Sequence, residues 1–135
     1  MDYKVLEHTA DVGLWAEGRV LPELFEAAVL GMTEIMGPEA DEPAEGVSRE
    51  VELESIDRTA LLIDFMNEVL FLAERNREFY FEVKFTEIGN TYLKAELKGK
   101  RAKFFHRDIK AVTYHGAEIK KNEAGSLETE IVFDI

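Results

Sequence analysis

Residues 61–72 read LLIDFMNEVLFL, an apolar run interrupted by three polar side chains. At 3.6 residues per turn, the apolar side chains cover most of the circumference of a helix. Asp57 lies just before this run and can cap the first turn, so we predict a long helix that continues to about Arg75. Because its apolar surface is so wide, this helix should face more than one neighbouring element.

A β-hairpin is predicted directly after this helix. Apolar and polar residues alternate through residues 79–85 and again through residues 93–97, which is the period of strands with one buried face. The Gly-Asn pair at residues 89–90 supplies the turn between them. Residues 109–119 and 127–135 are predicted to form two further strands, so the C-terminal half should be antiparallel sheet.

The N-terminal half adds strands around a second helix. Residues 3–6 and 12–16 are short strand-like segments, and Pro22 suits the first turn of an amphipathic helix. Residues 37–46 contain two prolines and two glycines, which favour an exposed loop that ends this helix. Residues 47–54 alternate in part and are predicted to form a strand.

The order of these elements is two strands, a helix, a strand, a helix and four strands. It predicts an α+β fold, with two principal helices packed on a mainly antiparallel sheet. A length of 135 residues with 46% apolar content suits one domain over residues 1–135. No apolar run is long enough to cross a bilayer and no basic segment leads into one near Met1, so we expect a cytoplasmic protein.

The composition excludes several kinds of site. Cysteine is absent, which excludes disulfides, thiolate zinc sites and cysteine nucleophiles, so any metal must bind oxygen or imidazole ligands. The phosphate-binding patterns GxxxxGK[ST] and GxGxxG and the hydrolase pattern GxSxG are absent as well. Glutamine is also missing while Glu and Lys are abundant, which favours a thermophilic source.

The charge balance bears on the class of partner. A net charge of -12 argues against strong direct binding to nucleic acid, which requires Lys and Arg against the phosphates, and favours a basic protein partner. Acidic residues concentrate in residues 34–57, and half of all Lys and Arg lie in residues 98–121. Both segments are either solvated surface or recognition surface.

Two adjacent carboxylates end the last predicted strand. Asp134 is followed by Ile135, whose α-carboxylate is the chain terminus in this sequence. Antiparallel pairing could bring this end beside the early turn at residues 9–11, which includes Asp11. The oxygen ligands would then suit Ca²⁺, Mg²⁺ or Mn²⁺. The alternative is a frayed and solvated strand end.

Histidines and a pair of helical carboxylates are weaker candidates. His8 either orients Asp11 or caps its turn, and His115 is either a polar group at a sheet edge or part of a functional surface. Asp64 and Glu68 stand four residues apart on the long helix. They could bind a cation, or they could form the solvent-facing stripe of that helix.

Four segments together resemble the archease family. They are residues 8–13 (HTADVG), 61–72 (LLIDFMNEVLFL), 109–116 (IKAVTYHG) and 132–135 (VFDI), and they follow the order of the family through essentially the whole chain. The sequence departs from the family at residues 125–127, which read GSL where a Trp is often found. We expect this departure to alter packing rather than activity.

The resemblance implies a protein cofactor rather than an enzyme. Such a protein activates an RtcB-type tRNA-splicing RNA ligase by promoting its guanylylation and multiple turnover, and it broadens nucleotide use. The resemblance also implies a divalent metal, Ca²⁺ or, in the cell, Mg²⁺ or Mn²⁺, bound by Asp11, Asp134 and Ile135. Four further matching positions would form the surrounding partner surface: His8, Asp64, Lys110 and His115.

Two other functions remain open from the sequence. One is a chaperone-like partner of an RNA methyltransferase, a role also associated with the family, which would depend on surface binding rather than on a metal. The other is a metal-dependent hydrolase that uses Asp11, Asp134 and His115 with a metal-activated water.

Overall fold

The computed structural model describes residues 1–7, 11–43, 45–114 and 116–135. For Glu7 it describes the backbone and not the side chain. Within these residues the chain forms nine strands and two helices. None of the described helices has the length and apolar character needed to cross a membrane. The elements in chain order are β1 (Asp2–Glu7), β2 (Asp11–Gly18), α1 (Leu21–Met36), β3 (Pro38–Ala40), β4 (Gly46–Glu54), α2 (Arg58–Asn76), β5 (Glu78–Ile88), β6 (Tyr92–Phe105), β7 (Ala111–Thr113), β8 (Lys120–Lys121) and β9 (Leu127–Asp134).

The strands form two antiparallel sheets rather than the single sheet predicted. The first has the order β1-β2-β9-β7, with β8 also paired to β9. In the second, β3, β4 and β5 each pair with the long strand β6. The α+β class and the antiparallel pairing are confirmed, and the predicted hairpin is the β5–β6 pair.

Both helices pack on both sheets. Helix α1 packs on β1 and β2 of the first sheet and on β5 of the second, while α2 packs on β4 and β5 and on β7. Leu61, Leu62 and Ile63 are consecutive and fully buried, which requires cover on more than one side of α2. The predicted wide apolar surface of this helix is therefore confirmed, and it explains why two sheets are needed.

The predicted helix ends are also confirmed. Pro22 lies in the first turn of α1, and Gly37 ends it in the left-handed conformation (φ 59°), with its N–H bonded to Thr33 O at 3.0 Å. Asp57 caps α2 by accepting a bond from the N–H of Ala60 at 2.8 Å. Arg77 ends α2 with φ 52°, a conformation more usual for glycine.

One loop prediction and one strand prediction were wrong in part. The predicted loop at residues 37–46 contains the short strand β3. The predicted strand at residues 109–119 pairs with β9 only through β7, and the chain returns to β9 only at β8. Residues 116–119 lie outside the sheet, and Ala117 and Ile119 are buried in the core, a packing gain that local alternation does not reveal.

Candidate functional site

Asp11 and Asp134 lie directly opposite each other on neighbouring strands. They are register partners in the β2–β9 pair, and Asp134 is also the partner of Ala111 in β7. Directly opposed residues in an antiparallel pair point to the same face of the sheet, with Cβ atoms about 5 Å apart. The predicted approach of the last strand to Asp11 is thereby confirmed, whereas Thr9 and Ala10 lie outside the described residues.

The two carboxylates point away from the helices. Val12 and Phe133, their neighbours along each strand, are buried in the core, so Asp11 and Asp134 belong to the opposite, outer face. Asp134 is exposed and Asp11 is half-buried. Like charges on directly opposed residues destabilise a sheet, and a bound cation would relieve that repulsion.

The donor chemistry of this pair fits a hard cation. No three acidic or histidine side chains come together as a metal cluster in the part of the chain that the structure describes. Asp11 and Asp134 would therefore need main-chain oxygens of the adjoining Ile135 and water to complete a coordination sphere. Ca²⁺, Mg²⁺ and Mn²⁺ accept such all-oxygen sets, which Zn²⁺ does not favour.

A shallow depression adjoins the pair on the outer face. Gly13 is the register partner of both Leu6 and Val132, and a Cβ at this position would lie 3.3 Å from the Cβ of Leu6. Gly13 therefore allows Leu6 to pack closely against β2. A cavity of about 240 Å³ lies beside these residues, with Asp11 and Glu130 among its walls.

Asp64 is bound within the protein and is not a simple surface residue. Its carboxylate accepts hydrogen bonds from Ser55 Oγ and from the Tyr114 hydroxyl, both at 2.6 Å. The bond to Asp64 raises the pKa of the Tyr114 hydroxyl, and partial burial raises that pKa further. This carboxylate holds Tyr114, which follows β7, against α2, and a cation pair with Glu68 stays a prediction.

Asn67 makes a second link between α2 and β7. Its Nδ2 donates to the carbonyl of Val112 and its Oδ1 accepts from the N–H of Val112, each at 3.1 Å. These two bonds imitate the pairing of a neighbouring strand and seal the edge of β7. The sequence marked Asn67 only as one of three polar residues in an apolar run, so this role was missed. The available signal was an amide, which offers one donor and one acceptor group, on an otherwise apolar helix.

The remaining predicted residues are placed only in part. The N–H of Lys110 donates to the carbonyl of Asp134 at 2.8 Å, so its backbone adjoins the carboxylate pair while its side chain is exposed. His8 and His115 lie outside the described residues, and their predicted roles stay predictions.

The chain matches known proteins along nearly its whole length. Residues 3–135 match the model of the Archease protein family (MTH1598/TM1083). A protein archease of Methanosarcina mazei is 34% identical, with 98% of this chain and 95% of that protein covered. A protein archease of Thermococcus kodakarensis is 36% identical over 96% of this chain and 95% of that protein. The chain belongs to the archease family.

Solved structures agree with this assignment. The solution structure of protein 1598 of Methanobacterium thermoautotrophicum is 34% identical, covers 98% of each chain and has a TM-score of 0.75. The crystal structure of an archease and possible chaperone (TM1083) from Thermotoga maritima is 22% identical, covers 98% of this chain and 96% of that chain, and has a TM-score of 0.69. At that identity, the second likeness concerns the fold alone.

The four segments that resemble the archease family are neighbours in the fold. Strand β2 pairs with β9, and β9 pairs with β7. Helix α2 then bonds to β7 through Asn67 and to the following Tyr114 through Asp64. The segments therefore form one continuous region, with Asp11 and Asp134 on its outer face.

Proposed function

We propose that this chain is an accessory protein that activates an RtcB-type RNA ligase, and that it binds a divalent cation between Asp11 and Asp134. The observation that carries the proposal is the convergence of the four family segments around this opposed carboxylate pair. The sequence contains none of the phosphate-binding loops named above, so nucleotide chemistry is assigned to the ligase.

The carboxylates and the main-chain oxygens of Ile135 would hold the cation. When bound, the ion supplies positive charge that can arrange phosphate oxygens near the nucleotide site of the ligase. Asp11 and Asp134 keep their oxygens on an open face, where a partner can reach them. Lys110 fixes the end of β9 by donating its N–H to Asp134 O.

The outer face of the first sheet suits a basic partner. Strand alternation places six acidic residues and two lysines on this face. A surface of this sign attracts a ligase surface that binds phosphates and is therefore locally basic. The acidic residues are Asp2, Asp11, Glu17, Glu128, Glu130 and Asp134, and the lysines are Lys4 and Lys120.

Multiple-turnover RNA ligation tests the proposal. The cognate ligase is given a large excess of RNA substrate with no addition, with the wild-type protein, with Asp134→Asn or with Glu50→Gln. Glu50 is an exposed strand residue on the other sheet, where it also lies opposite an acidic residue, Glu96. We expect the wild-type protein and Glu50→Gln to raise turnover and Asp134→Asn to fall to the unassisted rate.

Other results would change the assignment. If Asp134→Asn stimulated the ligase as fully as the wild-type protein, the carboxylate pair would not be needed for stimulation. No stimulation by the wild-type protein would reject the ligase function, and phosphoester turnover without ligase would favour the hydrolase.

A chaperone-like role, also associated with the archease family to which the chain belongs, is the second candidate. Under this proposal the partner is an RNA methyltransferase, and binding does not depend on Asp134. Light scattering of the methyltransferase during heating, with wild-type protein and with Asp134→Asn, distinguishes the two functions. Equal protection by both proteins would support the chaperone.

A further inference from the structure

A cavity of about 290 Å³ lies where α1 and α2 end beside the segment that follows β6. Its apolar lining includes Met36, Phe105 and Ile109, of which Met36 and Ile109 are buried. Phe104, an exposed aromatic residue, adds a second ring to the lining. Ligand-binding cavities in proteins begin at about 300 Å³, so this one suits a small ligand such as a single flat ring system.

Main-chain hydrogen bonds hold the walls of this cavity in place. The N–H of Arg107 donates to the carbonyl of Met36 at 3.1 Å, which ties the segment after β6 to the end of α1. The N–H of Ala102 donates to the carbonyl of Arg77 at 2.7 Å, which ties β6 to the end of α2. The cavity is therefore formed by the fold itself, and a ligand would not have to order its walls.

The polar part of the lining offers acceptors and donors together. Glu74 and Asp108 are acceptors, and neither carboxylate has a hydrogen bond or an ion pair within the described part of the chain. Partial burial raises the pKa of the Glu74 carboxyl, and the charge of Asp108 raises that pKa further. Arg77 supplies N–H donors to the same cavity. A ligand with both N–H groups and acceptor atoms would match this lining.

Arg77 keeps a backbone conformation that glycine adopts with less strain. It ends α2 with φ 52°, in the left-handed region where a Cβ is crowded by the backbone. A glycine would relieve this strain, but it would also remove the guanidinium group from the lining. Strained residues of this kind concentrate at functional sites. The conformation therefore indicates a role for the arginine side chain.

The cavity adjoins a basic stretch of an otherwise acidic chain. Lys98 and Lys100, at the start of this stretch, contact glutamates at 3.9 and 3.8 Å. Residues 101–110 then contain four Lys and Arg against one Asp, although the whole protein carries a net charge of -12. The local charge therefore favours a ligand that carries an anionic group.

We propose that this cavity binds a guanine nucleotide, with the base against Phe104 and the phosphate toward the basic stretch. Guanine presents two adjacent donors, its N1–H and its N2 amine, which a single carboxylate such as Glu74 can accept together. Its O6 and N7 atoms accept hydrogen bonds from an arginine such as Arg77. Adenine and cytosine lack the ring N–H beside the amine, and uracil lacks the amine. The lining therefore favours guanine over the other three bases.

A metal ion is the less suitable ligand. No group of three acidic or histidine side chains occurs among the residues that the structure describes. The carbonyl of Met36 at the end of α1 already accepts the N–H of Arg107. The guanidinium of Arg77 would also repel a cation in the same cavity.

Amide chemical shifts of the ¹⁵N-labelled wild-type protein measure binding of guanosine, inosine, adenosine and uridine monophosphates at constant ionic strength. We expect saturable shifts at residues 104–109 with guanosine monophosphate, and a dissociation constant of roughly 1 mM. Inosine monophosphate lacks the N2 amine and should bind about tenfold more weakly, because a hydrogen bond to a charged group is lost. Equal affinity for guanosine and uridine monophosphates, or shifts only in other parts of the chain, would overturn the proposal.

Phe104→Leu tests the position of the base. It should weaken binding of guanosine monophosphate by at least about fivefold, because stacking on the aromatic ring is lost. Phe81→Leu is the matched control, since Phe81 is also exposed but lies on β5 outside the cavity. Equal affinity of the two variants would reject stacking on Phe104.

Two further variants test the polar contacts. Glu74→Gln should bind guanosine and inosine monophosphates with nearly equal affinity, while Glu68→Gln, on the same helix but outside the cavity, should keep the difference between them. Arg77→Gly should keep or raise Tm, because glycine fits the left-handed conformation, and should still weaken binding. A difference retained in Glu74→Gln, or full affinity in Arg77→Gly, would overturn the assigned contacts.

A free nucleotide and a residue of RNA present the same base and phosphate, and a second titration distinguishes them. The probes are guanosine triphosphate and the single-stranded RNA UUGUU, with UUUUU as its control. Tighter binding of UUGUU assigns the cavity to RNA, whereas tighter binding of the triphosphate assigns it to the free nucleotide. No binding of the triphosphate and equal binding of the two RNAs would overturn the proposal. These titrations contain no ligase, so their outcome and that of the ligation assay are independent.

Discussion

At the scale of the residue, the opposed pair of Asp11 and Asp134 is the feature with the clearest physical consequence. Two carboxylates at one register position repel each other, and strand pairing prevents them from separating. Their main-chain neighbours are fixed by β9 pairing on both sides. The pair is therefore held in place before any cation arrives, which reduces the ordering that binding would otherwise require.

We predict that Asp134→Asn changes stability in opposite directions with and without a cation. In a chelator, the variant should be more stable than the wild-type protein by up to about 1 kcal/mol, because one repulsion is lost. Calcium at about a hundred times its dissociation constant should stabilise the wild-type protein by about 2.7 kcal/mol, or roughly 10 °C in Tm, and should not stabilise the variant. Calorimetric scans with EDTA and with calcium measure both effects.

The matched control is Glu50→Gln, which also removes one of two opposed carboxylates. It should give a similar small gain in the chelator and keep the full response to calcium. An equal calcium response in Asp134→Asn and in the wild-type protein would show that this carboxylate does not bind the ion.

At the scale of the element, β7 is a three-residue strand that depends on its neighbours. On one side of β7 the backbone groups bond to β9. On the other side the N–H and C=O of Val112 bond to Asn67 of α2. Asp64 then holds Tyr114, the residue that follows β7. Helix α2 thus positions the strand that flanks Asp134.

We predict that Asn67→Ala lowers the free energy of unfolding by about 1–3 kcal/mol, because both polar groups of Val112 lose their partner. The amide of Val112 should also exchange with solvent faster than in the wild-type protein. Urea unfolding and amide hydrogen exchange measure the two effects.

Glu68→Ala, at the adjacent half-buried position of α2, is the control and should change stability by less than about 0.5 kcal/mol. Unchanged exchange at Val112 in Asn67→Ala would mean that Asn67 does not seal this edge.

The elements also show how far the sequence alone can lead. Helix ends and the main hairpin were predictable because Pro22, Gly37, Asp57 and the alternation after residue 78 act locally. The break between β7 and β8 was not, because it depends on burial of distant parts of the chain. The meeting of Asp11 with Asp134 followed from antiparallel pairing of two predicted strands.

At the scale of the whole molecule, an ion pair between half-exposed Arg49 and buried Glu78 links two strands of the second sheet. Glu78 is 1% exposed and accepts two bonds from Arg49, at 2.9 and 2.7 Å, and one from the Tyr80 hydroxyl at 2.9 Å. The bonds from Arg49 hold the pKa of Glu78 below its ordinary value of 4.5. The folded protein is therefore more stable when the Glu78 carboxylate is ionised than when it is protonated.

The sign of the resulting pH dependence follows from this lowered pKa. Stability from Glu78 is fully present above pH 4.5 and is lost as the pH falls through the folded pKa. We predict that urea unfolding between pH 3 and pH 7 shows this loss on the acid side. In Arg49→Met the carboxylate stays buried without its cation, so stability should fall at pH 7 and recover in part toward pH 4.

Arg19→Met provides the comparison, because it removes an exposed arginine from its pair with Glu23 and should change the pH profile little. If the free energy of unfolding of Arg49→Met depended on pH as that of the wild-type protein does, Glu78 would not be the cause of the loss of stability in acid.

Asp11 and Asp134 lie on the first sheet, whereas Glu50 lies on the second. The protein can therefore be attached to a surface through the second sheet without modifying the carboxylate pair. The natural chain has no cysteine, so Glu50→Cys would supply a single thiol on the far sheet. A sensor chip coupled through that thiol would hold every copy at the same residue of the second sheet and leave Asp11 and Asp134 free of chemical modification.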